Sequence, residues 1–446
     1  MDMLEQGSGS GKPDRLSFNG ALSWLPLLLA AVCLVRSWSY GQAFLGVDFY
    51  QFWAVGQKTA RESAANIYSD DARRRLGEEF LRKAAANGSS RLRRAAGNRR
   101  VLETYSTPFL YSLFAGFPAE DYDLAYGIYR LLCMACMVYA VATLAGLFRF
   151  SAAASALLFA ALTAYFAPYL SDVAVANVNQ VQLGLLALFL WVESRRDLGS
   201  RHLLGGAVLG SAVMFKPNLV FVVLLLGLSW LIGGRFKDAL SAAVGAAAAA
   251  AAAVVFSSAM FGSARCWLDW IKALLLMPAE IVPVAFGNYS LPRLVMDLSG
   301  MDLAGPLAVL LVSLSALAMW RGSRKAPAGG ADPLERELFK DALVVGLGCL
   351  VYLLSAPLAW LHYYLLAAPA AICMLRPIGD CQARRRPRGV AVNRCLGIAS
   401  IVLLSVVALM QLVAGVKPAA NLAALATIGG ASVLFVLTLR ELQSGG

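Results

Sequence analysis

Asp48 is the first residue whose setting suggests chemistry. It stands in Gly46-Val47-Asp48-Phe49-Tyr50-Gln51-Phe52-Trp53, one carboxylate among four aromatics, directly after the first long apolar run. An acid in that place lies at a membrane–water boundary, where burial raises its pKa. A carboxylate so tuned acts as a general base toward any hydroxyl within hydrogen-bond reach. Phe49, Tyr50, Phe52 and Trp53 would exclude water or stack on an apolar or ring-shaped ligand. The plainer reading of Asp48 is a helix cap or a loop acid.

Other polar residues punctuate apolar sequence. His362, one of two histidines, opens an apolar run between Trp360 and Tyr363-Tyr364. It reads as a donor to an anionic oxygen, or more simply as an aromatic-belt residue. Asn177, Asn179, Gln180 and Gln182 put four amides at the start of another run, with Asn177 and Gln180 at i, i+3 on one face. They suit contacts to hydroxyl groups, or caps and interhelical hydrogen bonds. Lys216-Pro217-Asn218 breaks a long apolar stretch and offers a cation, or a snorkelling lysine. Asn288, in Gly287-Asn288-Tyr289-Ser290, is read in the same two ways, and Asp172 belongs to the same polar set. The second histidine, His202, reads as incidental.

These residues need elements to hold them. The chain has 446 residues, 59% hydrophobic and 15% charged, and apolar stretches of membrane-spanning length recur throughout. That composition excludes an ordinary soluble domain. Continuous rather than alternating apolar runs exclude a β-barrel. The expected fold is an all-α polytopic membrane protein. The formal charge of +12 fits cationic loops at an anionic membrane surface rather than nucleic-acid binding. Eight cysteines lie mostly within apolar runs, and Cys133-Met-Ala-Cys136 has neither a second pair nor a nearby histidine, so neither metal nor disulfide framework is expected.

Apolar length places about twelve transmembrane helices, near residues 22–40, 122–147, 151–170, 178–193, 203–215, 218–232, 238–258, 303–320, 339–356, 361–375, 395–415 and 419–439. Residues 1–21 read as a disordered cytoplasmic N-terminus, 22–440 as one transmembrane domain and 441–446 as a cytoplasmic tail. Arg149, Arg195-Arg196, Arg235 with Lys237, Arg321 to Lys325 and Arg376 to Arg388 then fall inside. The long segments 41–121 and 259–302 fall outside. The first is basic (Arg73-Arg74-Arg75, Arg93-Arg94, Arg99-Arg100), which the charge rule tolerates in so long a loop. A charged helix is expected near Asp70 to Ala86. A short apolar helix between Pro108 and Pro118 is expected to lie in the interface. Under this threading Asp48, the amides, Asn288 and His362 share the outer side, which predicts one polar cavity opening outward. The expected location is the plasma (inner) membrane.

Taken together these residues resemble glycosyltransferase family 87, polyprenyl-phosphate-dependent membrane enzymes of the GT-C class. The resemblance rests on Asp48-Phe49-Tyr50, Tyr105-Ser106-Thr107-Pro108-Phe109-Leu110, Asn177 to Gln182, Lys216-Pro217, Gly287-Asn288-Tyr289-Ser290-Leu291, and His362-Tyr363-Tyr364 with Pro369. It spans roughly 41–375, and order and spacing carry it more than any single motif. It implies a GT-C-like fold with interfacial helices in the first outer loop. It implies Asp48 as catalytic base and transfer of a hexose or pentose, mannose first, from a polyprenyl-phosphate sugar to a glycolipid or glycan, with inversion and without a metal or other cofactor. His362, Tyr363, Asn177, Asn179, Gln180, Lys216, Asn288 and Tyr50 are the expected substrate-binding residues. The chain departs from the family pattern where paired prolines are common (Thr107-Pro108), where Gly-Gln is common (Asn179-Gln180), and in its basic loop 57–104. The rival readings are a lipid or sugar transporter or flippase, which twelve spans also fit, and a non-catalytic subunit of an envelope pathway.

Overall fold

The structure, a computed structural model, describes residues 24–61, 66–277, 282–325, 333–376, 387–406, 409–410 and 419–444. The expected N-terminal tail, Cys381, most of the Arg384–Arg388 cluster and the end of the 395–415 span lie outside the described residues. The fold is all-α, and among the described residues no strand forms. The helices are α1 Leu25–Gln42, α2 Val47–Arg61, α3 Asp70–Ala86, α4 Ser90–Asn98, α5 Pro108–Phe114, α6 Tyr122–Leu147, α7 Ala152–Tyr165, α8 Ala167–Val175, α9 Asn179–Ser194 and α10 Arg201–Phe215. They continue as α11 Val220–Ile232, α12 Phe236–Phe261, α13 Arg265–Leu276, α14 Leu291–Ser299, α15 Ala304–Ser323, α16 Pro333–Ser355, α17 Ala368–Met374, α18 Pro387–Leu404 and α19 Ala420–Ser444.

A helix stands at each expected span, but their lengths differ. Five (α6, α12, α15, α16, α19) are long and apolar enough to cross a membrane, or seven if each of two bent pairs is one span. The bent pairs are α1 with α2, at 66°, and α7 with α8, at 62°. The hairpin at Lys216-Pro217 yields the short α10 and α11, because proline cannot continue the ladder. Residues Leu361–Ala367 form a 3-10 helix leading into the seven-residue α17.

The 41–121 segment is folded onto the bundle. α3 spans Asp70–Ala86, as its composition predicts, with Ala72, Leu76, Phe80 and Ala84 on its buried face. α5 forms where a short apolar helix is expected, and its Leu110, Tyr111 and Phe114 are buried in an aromatic cluster. Phe49 stacks on Tyr129 at 4.9 Å, Phe52 meets Phe114 at 5.2 Å and Trp53 meets Tyr122 edge-on at 5.0 Å. Thr107 starts α5 by accepting from the Leu110 N–H at 3.1 Å, while its own hydroxyl donates to the Met214 carbonyl at 2.7 Å. That hydroxyl therefore ties the 41–121 segment to the tip of the α10–α11 hairpin.

Helices α10 and α12 pack backbone to backbone through small residues. A methyl carbon at Gly206 would collide with the Ala242 carbonyl, and one at Gly245 with the Leu203 carbonyl. Neither obstacle is a flexible side chain. Gly206→Leu is expected to destabilise the protein by about 1–3 kcal/mol or more. The melting temperature of the solubilised protein checks this, and an unchanged value would show that the two helices are free to separate.

At the end of the bundle away from Lys216, one group of charges is paired. His202 lies 2.7 Å from Glu193 and 3.3 Å from Asp238. Arg235 bonds Asp238 at 2.8 Å, with Asp341 at 3.5 Å and Glu337 at 3.6 Å, and the Trp230 indole donates to Asp341 at 3.0 Å. His202, read from sequence as incidental, thus helps join α9, α10 and α12.

Candidate active site

Gly46 begins the site. Its φ of +62° opens the turn between α1 and α2, a conformation costly for any residue with a Cβ. The turn sets Asp48 in the first helical turn of α2. From there Asp48, Gln51 and Phe52 face a cavity, while Phe49, Tyr50 and Trp53 enter the aromatic core.

Asp48 is held from several elements. Its carboxylate accepts from the Asn177 amide at 2.6 Å, with Arg99 at 3.6 Å and His362 Nε2 at 3.7 Å. The oxygen of the same Asn177 amide accepts from Lys216 Nζ at 3.0 Å. Lys216 also stands over the Tyr363 ring, 4.2 Å from its centroid. One amide therefore links the acid to the lysine and fixes its own orientation, nitrogen to Asp48 and oxygen to Lys216. Burial pushes the Asp48 pKa up from the ordinary carboxylate value. The Arg99 charge, the Asn177 hydrogen bond, the Lys216 charge and a hydrogen bond from Gln51 oppose it. Arg99 is also paired with Glu103 at 2.7 Å, and the Glu103 N–H donates to the Gln51 side chain at 2.6 Å.

A second layer positions Asn177. Ala176 caps α8 with φ +55°, a left-handed conformation that costs a non-glycine residue of order 1 kcal/mol. It turns the chain so that Asn177 meets Asp48. The Tyr129 hydroxyl donates to the Asn177 carbonyl at 2.7 Å. Asp172, fully buried, accepts from Asn179 at 2.8 Å and Gln180 at 2.9 Å. Asn179 also donates to the His362 carbonyl at 3.2 Å, which ties α9 to the 3-10 helix. Gln182 and Asn218 exchange an amide pair.

The cavity measures about 810 Å³. Asp48, Arg99, Asn177, Lys216 and His362 lie along its polar part. Phe221, Leu274, Met277, Ala304, Ala308 and Leu358 line the rest. The buried His362 Nε2 has no hydrogen-bond partner among the described residues, and the Asp48 carboxylate lies 3.7 Å from it. Among the described residues no three or more His, Cys, Asp or Glu side chains gather as a metal-ligand set.

The expected residues separate by position. Asp48, Asn177, Lys216, His362 and Tyr363 meet at the cavity wall. Tyr50 does not reach it. It is fully buried against Tyr122, because position 50 falls on the core face of α2. Asn179 and Gln180 are buried on Asp172, one layer behind the wall. Asn288 is also buried. It donates to the carbonyls of Val282 and Pro357, both at 3.1 Å, and accepts from the Ala359 N–H at 3.0 Å, so it staples two loops together. Its neighbour Tyr289 lines the cavity instead. Arg99, Glu103, Gln51 and Asn218 were not anticipated. The basic character of 57–104 was the only sequence signal for Arg99.

No curated protein and no solved structure matches the chain. The family model described as glycosyltransferase family 87 matches residues 104–334. That stretch contains Asn177 and Lys216, while Asp48 and His362 lie on either side of it and are folded onto it. It covers more than half of the sequence, and the chain belongs to glycosyltransferase family 87.

Proposed function

We propose that the chain transfers a sugar from a polyprenyl-phosphate donor to a hydroxyl of a glycolipid or glycan, with Asp48 as general base. The donor sugar is a hexose or pentose, mannose first. The observation that carries this reading is the Asp48–Asn177–Lys216 link at the wall of a cavity that is polar in one part and apolar in the rest. The acceptor oxygen attacks the anomeric carbon as its proton passes to Asp48. The bond from that carbon to the phosphate oxygen breaks, and polyprenyl phosphate leaves with the electron pair. A single displacement inverts the anomeric centre. Lys216 and His362 would receive the phosphate, as cations and donors do for developing anionic charge, while the apolar wall receives the start of the prenyl chain. Tyr363 and Asn177 would contact the sugar.

In this reading residues 22–440 form one GT-C-like domain of about twelve spans in the plasma membrane, with the site facing outward. Membership of a glycosyltransferase family supports transfer chemistry over the transport alternative. No resident cofactor is proposed. The test is purified protein with a panel of polyprenyl-phosphate sugars and glycolipid acceptors, scored by release of polyprenyl phosphate. Acceptor-dependent release with at least one donor is expected. Transfer from sugar nucleotides alone would overturn the donor assignment.

A further inference from the structure

Three helices that line the active-site cavity at one end line a second concavity at the other. α11 presents Phe221 to the first and Ser229 to the second, α15 presents Ala304 and Gly322, and α16 presents Tyr352 and Lys340. Along the three helices those residues stand 8, 18 and 12 positions apart, about 12, 27 and 18 Å at 1.5 Å per residue. The two cavities therefore lie toward opposite ends of the same helices.

The second cavity measures about 330 Å³ and is lined by the cations Arg235, Lys325, Arg336 and Lys340 and one carboxylate, Glu337. Arg235 is engaged by Asp238, Asp341 and Glu337. Lys325, Arg336 and Lys340 have no ion-pair partner among the described residues. The Ser229 hydroxyl, 1% exposed, also lines this cavity and has no hydrogen-bond partner among the described residues. Cations at this end of the helices follow the general charge bias of membrane proteins, but that bias leaves them splayed toward water. Here cations on three elements converge on a concavity floored by Ile232 and Leu343, beside a buried donor with nothing to bond. Leu231, Phe236 and Trp320, all exposed, surround the same end with apolar surface.

We propose that this pocket binds the phosphate of an anionic phospholipid from the leaflet opposite the active site. Arg336, Lys340 and Lys325 bond the phosphate oxygens, the Ser229 hydroxyl donates to one of them, and the acyl chains lie on the apolar helix flanks. The shared chemistry of the ligand is a phosphate ester or free phosphate, and the flanking apolar surface favours the lipid. The site lies apart from the catalytic residues, so its test is independent of the transfer assignment.

The experiment titrates delipidated, detergent-solubilised full-length protein with short-chain phosphatidylglycerol, short-chain phosphatidylcholine or inorganic phosphate, and reads bound ligand by native mass spectrometry and the melting temperature. Phosphatidylglycerol is expected to bind saturably and stabilise, and phosphatidylcholine is not. Arg336→Gln with Lys340→Gln should weaken phosphatidylglycerol binding about tenfold or more. Arg321→Gln with Arg324→Gln removes equal charge from the same end outside the pocket and should change it less than about twofold. Equal loss in both pairs would overturn the pocket in favour of a diffuse field. Inorganic phosphate stabilising as well as the lipid, with the same dependence on Arg336 and Lys340, would overturn the lipid assignment. Should the pocket pair fail to fold, Lys325→Gln on exposed Lys325 serves in its place. It should weaken binding about threefold or more, and unchanged binding would count against the site.

Discussion

Asp48→Asn is expected to lower sugar transfer by about 10²–10⁴-fold, the usual worth of a positioned general base, with no loss of folded protein. Asparagine matches aspartate in shape and can still accept from the Asn177 amide, which bonds the carboxylate at 2.6 Å. Burying a neutral amide where a charge was buried costs less desolvation, so stability should hold or rise. This separates the role of base from that of cap. Ser69, Ser89 and Thr107 each accept from a backbone N–H of their own helix, as caps do. Asp48 instead bonds a side chain 129 positions away. A lost cap would lower the melting temperature by an amount matching about 1 kcal/mol and leave turnover near wild type. Polyprenyl-phosphate release at saturating donor, read beside the melting curve, distinguishes the two. Wild-type turnover in Asp48→Asn would return the residue to a structural part.

The convergence of Asp48, Asn177 and His362 was legible because apolar run length fixes depth. Each interrupts or opens a run, and the threading puts all three at one level. Their pairing could not be read at finer grain. Positions 49, 50, 52 and 53 are all aromatic, so α2 carries no periodic signal of which face meets the core, and Tyr50 went to the wrong side. Arg99 lay hidden for a different reason. It is 51 positions from Asp48 in a loop whose other arginines are mostly solvated, and only the docking of α4 brings it to 3.6 Å. The amides at the start of α9 look alike in sequence, yet each has its own partner. Asp172 takes Asn179 and Gln180, Asn218 takes Gln182, and Asp48 takes Asn177. Partners of that kind follow from tertiary packing, which a pattern of residue types leaves open. Span lengths were less legible for a local reason. The Lys216-Pro217 break and the 3-10 turn at Leu361 divide apolar sequence into helices too short to be told from buried core.

Lys216→Met should act on two quantities at once, and the pair identifies its role. The methionine keeps most of the side-chain volume and removes the charge. If Lys216 steadies the departing phosphate, the plateau rate should fall by about 10²–10³-fold, as when one preorganised donor to a developing anion is removed. The same charge also lowers the Asp48 pKa against the upward push of burial. The base works only when deprotonated, so activity is lost as pH falls through that pKa. Removing Lys216 raises the pKa and moves the acid limb of the rate profile to higher pH. Arg99→Gln supplies the contrast. Arg99 is the stronger of the two charges holding the Asp48 pKa down, so its loss should move the acid limb further than the loss of Lys216 does. Its Glu103 partner already occupies part of the guanidinium, so the plateau should change less than in Lys216→Met. Rate profiles of both variants between mildly acidic and mildly alkaline pH test this directly. A Lys216→Met plateau within about threefold of wild type, against the larger loss expected for a removed donor, would leave the lysine as a tuner of Asp48 alone and assign the phosphate to His362.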